Sequence, residues 1–291
     1  MAITILGAGV PACDSEPARL LASVVPTATG RFAGQSVVEE LLRQHGDRPP
    51  RSRLARTLGA SPLDVNELSW LRAAQAEMIV GDILGRLPEG YSVYHSLPIR
   101  NTAFWVDHLV VGPGGIFSIN SKTHWDRDLT GSMRSIPIGE HAMPYLRDAQ
   151  FESAQITALL AAVMPGTTVV QPVIVLVNPH KILLARKPDA VTVIDSPRLR
   201  RWLVGRTQVF SAEQQAALTA LIDDPTTWLE AGQPLAPAHL HARFTALEQQ
   251  VAAARTRRTT FTVLAAAAAT TLFALATSPL IVTAVEYLAA R

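Results

Sequence analysis

Residues 106–125 read VDHLVVGPGGIFSINSKTHW and contain two apolar runs, at 109–111 and 116–117. The residues between the runs, GPGG at 112–115, are typical of a tight turn, so the pattern predicts a β-hairpin. Asp107 lies at the start of the first strand, and Asn120 and Lys122 share one face near the end of the second. The hairpin therefore predicts that an acid, an amide oxygen and a lysine converge at one edge of a small sheet, an arrangement that suits metal-dependent phosphodiester chemistry.

This stretch resembles the NERD (nuclease-related) domain, a branch of the PD-(D/E)xK restriction-endonuclease-like superfamily. The resemblance rests on DHLVVGPGGIF at 107–117 and on Asn120-Ser121-Lys122. Upstream, Ala76-Glu77 and the residues LPEGY at 87–91 also fit the family pattern. The resemblance covers roughly residues 70 to 185 and implies a nucleic-acid partner, with DNA favoured over RNA.

The resemblance also implies a set of site residues. Asp107 would hold Mg²⁺, a hard cation that takes oxygen ligands, together with Asn120 and the backbone carbonyl of Ser121. Lys122 would position or activate the attacking water or stabilise the developing charge. Glu77, on the preceding helix, would bind the metal through water or orient that water.

One position departs from the family pattern. The superfamily carries an acid two residues before the lysine, and this chain carries Asn120. An amide oxygen can bind a cation but contributes no negative charge, so Mg²⁺ binding should be weaker. Two functions stay open: a metal-dependent nuclease, and a catalytically degenerate nucleic-acid-binding or scaffold module on the same fold.

Composition excludes several other classes. The chain has 291 residues and a formal net charge of +2, so its overall charge is too small to indicate nucleic-acid binding. Its single cysteine, Cys13, excludes an intramolecular disulfide and a cysteine-cluster zinc site. No Walker loop, HExxH motif or catalytic-triad pattern is visible, which disfavours an NTPase and the corresponding hydrolases. The first residues lack a leading basic segment, which argues against an export signal. The sequence leaves the oligomeric state open.

The order of predicted elements indicates an α/β (α+β) fold with a mixed sheet flanked by helices. A helix is predicted to begin at Ser61-Pro62 and to run to about Leu87. The apolar run at 169–177 predicts a buried central strand. Further predictions are a short helix near 16–23, helices at 35–45, 145–163, 197–203 and 211–222, strands at 91–97, 104–111, 116–122 and 191–194, and a hairpin near 129–138. The predicted domains are an N-terminal extension at 1–60, a nuclease-like domain at 61–230, a helical linker at 231–258 and a tail at 259–285.

The tail, residues 259–285, contains no charged residue and predicts a transmembrane helix. A buried alanine-rich core helix in a wholly soluble protein is the alternative. Arg255, Arg257 and Arg258 precede the segment and only Arg291 follows it, which predicts a single-pass anchor with the main domain in the cytoplasm. A second arginine-rich stretch, GDRPPRSRLAR at 46–56, is typical of solvated surface and also compatible with phosphate contacts.

Overall fold

A computed structural model describes residues 30–46, 49, 51–99, 105–123, 136–137, 143–163, 169–177, 182–183, 190–228 and 237–289. The predicted helix near 16–23 and most of the predicted hairpin near 129–138 lie outside these residues. The chain divides into two compact units, one made of residues 1–33 and 77–231 and the other of residues 34–76 and 232–291. The first unit contains the sheet, and the second contains the long C-terminal helix.

The elements follow one another in this order. The first half contains α1 (Gln35–Gly46), α2 (Arg53–Thr57), α3 (Val65–Leu84), β1 (Ser92–Pro98), β2 (Trp105–Gly112), β3 (Gly115–Thr123), β4 (Ile136–Pro137) and α4 (Met143–Val163). The second half contains β5 (Gln171–Val177), β6 (Ile182–Leu183), β7 (Thr192–Asp195), α5 (Ser196–Val204), α6 (Ala212–Asp223), α7 (Pro225–Trp228) and α8 (Pro237–Ala289).

The main sheet has five strands in the order β1-β2-β3-β5-β7. The pairs β1–β2 and β2–β3 are antiparallel, whereas β3–β5 and β5–β7 are parallel, so the predicted mixed α/β fold is confirmed. The hairpin is confirmed too: Gly112 pairs with Gly115 around the turn, and Val111 pairs with Ile116. Gly115 has φ +138°, a conformation that a side chain disfavours, which explains a glycine at this end of the turn.

β5 lies inside the sheet between two parallel neighbours, as its uninterrupted apolar sequence predicts. Residues Val173 to Val177 are all buried. The largest core of this unit joins residues from the β1–β2–β3 meander to residues from α4, α6 and α7; it includes Leu109, Val111, Ile116, Ile156, Leu160, Leu218, Ile222 and Trp228. Helix α4 is therefore held against the sheet by its apolar stripe.

The start predicted for α3, at Ser61-Pro62, is wrong by about one turn. The helix begins at Val65 because Asp64 and Glu67 cap it reciprocally. The backbone N–H of Glu67 donates to Asp64 Oδ1 at 2.7 Å, and the N–H of Asp64 donates to Glu67 Oε2 at 2.8 Å. This capping box satisfies the backbone N–H groups of Asp64 and Glu67 at the start of the helix. The cap predicted at Ser211 is confirmed, with Gln214 completing a second capping box at α6.

In the second unit, the predicted linker helix and tail form one continuous helix, α8, of 53 residues. Its first part packs inward through Leu240, Phe244 and Leu247, which are buried. Residues 255–276 are exposed, and Pro279 does not end the helix. α8 is long and apolar enough to cross a membrane, and none of its most apolar window is buried, so the described structure does not bury the tail as a core helix.

Candidate active site at the edge of the hairpin

Asp107 and Asn120 lie near the end of the β2–β3 hairpin that is distant from the turn. The backbone N–H of Ser121 donates to Asp107 Oδ2 at 2.7 Å, which ties the first strand to the second. Burial raises the pKa of Asp107 above its ordinary value, and the charge of Lys122 and the Ser121 hydrogen bond oppose that rise. The structure thus brings Asp107, Ser121 and Lys122 together, as the hairpin pattern predicts.

A second carboxyl group, absent from the predicted site residues, lies beside Asp107 and Asn120. Glu152 on α4 is only 7% exposed and accepts a hydrogen bond from the hydroxyl of Ser118. The side-chain amide of Asn120 donates to Glu152 Oε2 at 3.3 Å. Ser118 and Asn120 are two residues apart on β3, so Glu152 lies over the strand face that also carries Lys122.

The two carboxyl groups oppose each other's ionisation. Burial raises the pKa of Glu152 to about 7, and the negative charge of Asp107 adds to this rise. Hydrogen bonds from Ser118 and Asn120 and the charge of Lys122 lower it only in part. One ammonium group therefore lies near two carboxyl groups, so the site favours an additional positive charge once both carboxyl groups ionise.

Lys122 is held beside an aromatic ring. Its Nζ lies 5.4 Å from the ring centroid of Tyr145, in the first turns of α4. Such a cation–π contact orients the ammonium group and leaves its three N–H donors available to an anionic ligand. α4 therefore supplies both a carboxyl group, Glu152, and a ring that positions Lys122.

Two oxygen atoms at the site have the chemistry of cation ligands. Asn120 Oδ1 is buried and accepts no hydrogen bond from any residue that the structure describes. The N–H and C=O groups of one strand residue point to the same side, so the Ser121 carbonyl lies on the β2 side of β3, as its N–H does. With the carboxyl groups of Asp107 and Glu152, the donors are all hard oxygens, which fit Mg²⁺ or Mn²⁺.

A metal ion bound by these residues would have few anionic ligands. Within the described ranges, no group of three or more His, Cys, Asp or Glu side chains could hold a metal ion. A cation at this edge would therefore rely on two carboxyl groups, with the Asn120 amide and the Ser121 carbonyl as neutral ligands. His124 and Asp126, which follow β3 in the sequence, lie outside the described residues.

The opposite face of the sheet carries a pair of histidines, the partly buried His95 on β1 and the buried His108 on β2. His95 Nδ1 and His108 Nδ1 are 2.8 Å apart, so one of these nitrogens donates a proton to the other. His108 Nε2 lies 3.2 Å from Ser121 Oγ. Burial lowers the pKa of His95 to about 4 and that of His108 well below its usual value, so the pair is neutral. The pair fixes the Ser121 side chain while its backbone N–H binds Asp107.

Glu77 lies in the half of α3 that belongs to the sheet unit and is 4% exposed. Gly81, one turn later, lies against Ala33 and the ring of His95. This places α3 beside the histidine pair. The charges that shift the pKa values of Asp107 and Glu152 do not include Glu77. Its proposed role towards a metal stays a prediction.

A signal for Glu152 was present in the sequence. Ala149, Ile156 and Leu160, all buried, define the apolar stripe of α4. Glu152 falls within that stripe, three residues after Ala149 and four before Ile156, where a solvated glutamate would not be expected. A glutamate on a buried stripe is a site candidate because burial without a partner is expensive.

The comparison with protein families agrees with this geometry. Residues 72–177 match the model of the nuclease-related domain, NERD, so the expected resemblance to this family is confirmed for that range. The matched range contains the hairpin, Lys122 and Glu152. Neither a curated protein nor a solved structure matches the chain. The NERD match indicates a nuclease-related function, and the candidate residues Asp107 and Asn120 lie at the end of the hairpin within the matched range.

Proposed function

We propose that this chain is a membrane-anchored nuclease whose NERD domain hydrolyses phosphodiester bonds of nucleic acid with a divalent cation, Mg²⁺ or Mn²⁺. The observation that carries the proposal is the convergence of Asp107, Glu152 and Lys122 around the unsatisfied oxygen of Asn120. Glu152 supplies a second carboxylate near the position where Asn120 replaces the acid of the family pattern. DNA is the preferred substrate on the strength of the resemblance.

Each residue has a distinct part in this proposal. Asp107, Glu152, Asn120 Oδ1 and the Ser121 carbonyl would hold the cation, which supplies charge stabilisation to the phosphate and activates water. Lys122 binds the phosphate or stabilises its developing negative charge, since its ammonium group has no carboxylate at salt-bridge distance among the described residues. The ring of Tyr145 keeps the ammonium group of Lys122 oriented.

A second candidate is a NERD module that binds nucleic acid without cleaving it. Asn120 favours this candidate, because it removes an anionic ligand from the family pattern. The raised pKa of Glu152 also favours it at low pH, where the carboxyl group is protonated and binds a cation poorly. Binding of DNA without metal-dependent cleavage would distinguish this module from the enzyme.

Cleavage of plasmid DNA, single-stranded DNA and RNA by the full chain in detergent tests the proposal. The variants are Asp107→Asn, Lys122→Ala and Glu152→Gln, with Glu213→Gln on the exposed side of α6 as a matched control. Isothermal titration with Mn²⁺ accompanies the cleavage assay. We expect metal-dependent cleavage that the first three variants lose by at least about 100-fold, as for removal of an electrostatic group from an active site.

The outcomes separate the two candidates. Loss of Mn²⁺ binding in Asp107→Asn and Glu152→Gln, with binding kept in Lys122→Ala and Glu213→Gln, supports the assigned ligands. DNA binding that survives in a folded chain without any cleavage under either metal supports the non-catalytic module. Cleavage that persists in Asp107→Asn and Glu152→Gln refutes the site.

We further propose that α8 anchors the protein in a bilayer with the NERD domain on the cytoplasmic side. The uncharged stretch 259–285 spans about 40 Å as a helix, enough for a hydrocarbon core of about 30 Å. Arg255, Arg257 and Arg258 at its start favour that side by the positive-inside rule. Resistance of the chain to carbonate extraction, with the NERD domain digested by protease only from the cytoplasmic side, tests both parts.

A further inference from the structure

A short arginine-rich segment packs against α8 immediately before its uncharged stretch. Gly59, which follows α2, has φ +76°, and a Cβ there would lie 2.6 Å from the carbonyl oxygen of Ala254 and still closer to the backbone nitrogen of Arg258. Arg257 Nη1 donates to the backbone oxygen of Arg56 at 3.2 Å. Only glycine permits this approach, so α2 is fixed to the last turn of α8 before Thr259.

The segment around α2 is locally well formed. Ser52 caps the helix by accepting from the N–H of Ala55 at 3.2 Å. The guanidinium of Arg51 donates to the carbonyl of Ala60 at 2.5 Å, which closes residues 51–60 into a compact turn. These two hydrogen bonds hold α2 and its flanking residues in one local conformation.

The surface formed in this way is strongly basic. Six arginines lie on α2 and its flanks or on the adjoining turns of α8; we call them the arginine collar: Arg51, Arg53, Arg56, Arg255, Arg257 and Arg258. Residues 51–63 and 249–285 contain no acid that could neutralise them. Five of the six are exposed, and Arg51 is partly buried.

Two leucines accompany this short helix: Leu54 lies on it, and Leu58 is its C-cap residue. Leu54 is 68% exposed and Leu58 is 49% exposed. They are four residues apart and therefore neighbours on one helix face. Exposed leucines next to exposed arginines are typical of a helix that lies in a membrane interface, with its apolar groups below the headgroups and its cations among them.

The position at which α2 contacts α8 agrees with a location in the membrane interface. Gly59 meets α8 between Ala254 and Arg258, one helical turn of about 5.4 Å before the uncharged stretch. The polar layer on each side of a bilayer is several ångströms thick, about 5 to 8 Å. If the stretch fills the hydrocarbon core, the arginine collar lies at headgroup depth.

From these observations we propose that the arginine collar, Leu54 and Leu58 form a docking surface for the anionic headgroups of the membrane that α8 enters. The inference rests on the anchoring part of the proposed function and adds the class of lipid. A nucleic-acid phosphate backbone is the competing occupant for six arginines, but it gives no role to two exposed leucines. Each arginine near an anionic membrane surface strengthens docking by about fivefold at physiological ionic strength.

The experiment uses the full chain in nanodiscs of phosphatidylcholine with and without phosphatidylglycerol. An environment-sensitive fluorophore is attached to Leu54→Cys in a Cys13→Ser background, since Cys13 is the only native cysteine. We expect a blue-shifted, brighter signal only with phosphatidylglycerol, reversed by about 1 M salt, where the screening length falls to about 3 Å. A label at Val65→Cys, which is 80% exposed on α3, should not respond.

Three variants decide the inference. Arg53→Gln with Arg56→Gln should weaken the response to phosphatidylglycerol by about thirtyfold, as expected for two arginines. Arg198→Gln with Arg201→Gln on α5 is the matched control and should leave the response unchanged. Gly59→Ala should reduce the response while every arginine remains, because it separates α2 from α8.

The experiment distinguishes failure of the anchoring proposal from failure of the docking-surface proposal. A chain that never enters either nanodisc overturns the anchoring proposal itself. A chain that enters both, with a Leu54 label that does not respond to phosphatidylglycerol, overturns the docking surface alone. A label that responds to added DNA in phosphatidylcholine nanodiscs but not to phosphatidylglycerol assigns the arginine collar to nucleic acid and also overturns the inference.

Discussion

Replacing Glu152 by glutamine should stabilise the apo protein at alkaline pH while it removes the proposed metal site. In the folded state, burial and the charge of Asp107 raise the pKa of Glu152 from 4.5 to about 7. A difference of this size corresponds to about 3 kcal/mol between the protonated and the ionised form. Wild-type protein carries this cost at alkaline pH, and the neutral glutamine does not.

The sign follows from proton linkage. A carboxyl group whose pKa is raised on folding stabilises the folded state below its unfolded pKa, when it is protonated in both states. That contribution is lost as the pH rises from about 4.5 to about 7, the window between the unfolded and folded values. The free energy of unfolding of the wild type should therefore fall across this window, and that of Glu152→Gln should fall less.

Glu152→Gln removes an ionisation cost of about 3 kcal/mol at alkaline pH, and changes in hydrogen bonding reduce the net gain in stability. Glutamine keeps an oxygen that can accept from Ser118, as Glu152 does. Its amide faces the Asn120 amide, which must rotate and present Oδ1 as the acceptor. If one neutral hydrogen bond is weakened by about 1 kcal/mol, about 2 kcal/mol remains. At about 2 to 4 °C per kcal/mol this is a rise of about 4 to 8 °C in the melting temperature at pH 8.

Thermal unfolding of the metal-free full chain at pH 5 and pH 8 measures this effect, with Glu213→Gln as the control. We expect the melting temperature of Glu152→Gln to exceed the wild-type value at pH 8 and to match it, within about 2 °C, at pH 5. A variant that is equally destabilised at both pH values would refute the argument, because it would show that Glu152 is needed for packing and is not a strained carboxylate.

Three further predictions concern the site and the fold. Asn120→Glu should bind Mn²⁺ more tightly than the wild type in calorimetry and should melt at a lower temperature without metal, because it adds a third carboxylate; unchanged affinity would contradict the ligand assignment. Ser211→Ala removes the side-chain half of the capping box with Gln214 and should lower the free energy of unfolding by about 1 kcal/mol in urea, whereas Ser211→Asp should retain it. Trp228→Phe removes the hydrogen bond from Nε1 to the Ile222 carbonyl, 2.8 Å long and buried, and should destabilise by about 1 to 3 kcal/mol in the same assay; a change below about 0.5 kcal/mol would mean that another donor replaces it.

The sheet was predictable because its signals are local. The apolar runs and the turn of the hairpin lie within twenty consecutive residues, and each strand needs only its alternation or its apolar run to be recognised. The interior position of β5 followed from the same reasoning, because a strand with neighbours on both sides and helices over both faces has no polar face. The start of α3 was missed because two acids, Asp64 and Glu67, outcompete Ser61 for the cap.

The site was only half predictable. Asp107 and Lys122 are placed by strand periodicity, so their spacing in the sequence already fixes their common face. Glu152 comes from a helix that packs over this face, and its distance along the chain from Lys122 includes residues 124–142, most of which the structure does not describe. Sequence spacing therefore does not determine where its carboxyl group lies; the packing of α4 does.

The substitution at Asn120 and the burial of Glu152 are parts of one arrangement. A carboxylate at position 120 would lie within hydrogen-bonding reach of the Glu152 carboxyl, and two adjacent charges of one sign would raise both pKa values. An amide at that position removes this repulsion, donates to Glu152 Oε2 and leaves its own oxygen unsatisfied. The site then keeps one strand acid, one helix acid and one amide oxygen. A divalent cation should consequently bind more weakly below about pH 7, where Glu152 takes up a proton, and Mn²⁺ titrations at pH 6 and pH 8 should differ in affinity in the wild type but far less in Glu152→Gln.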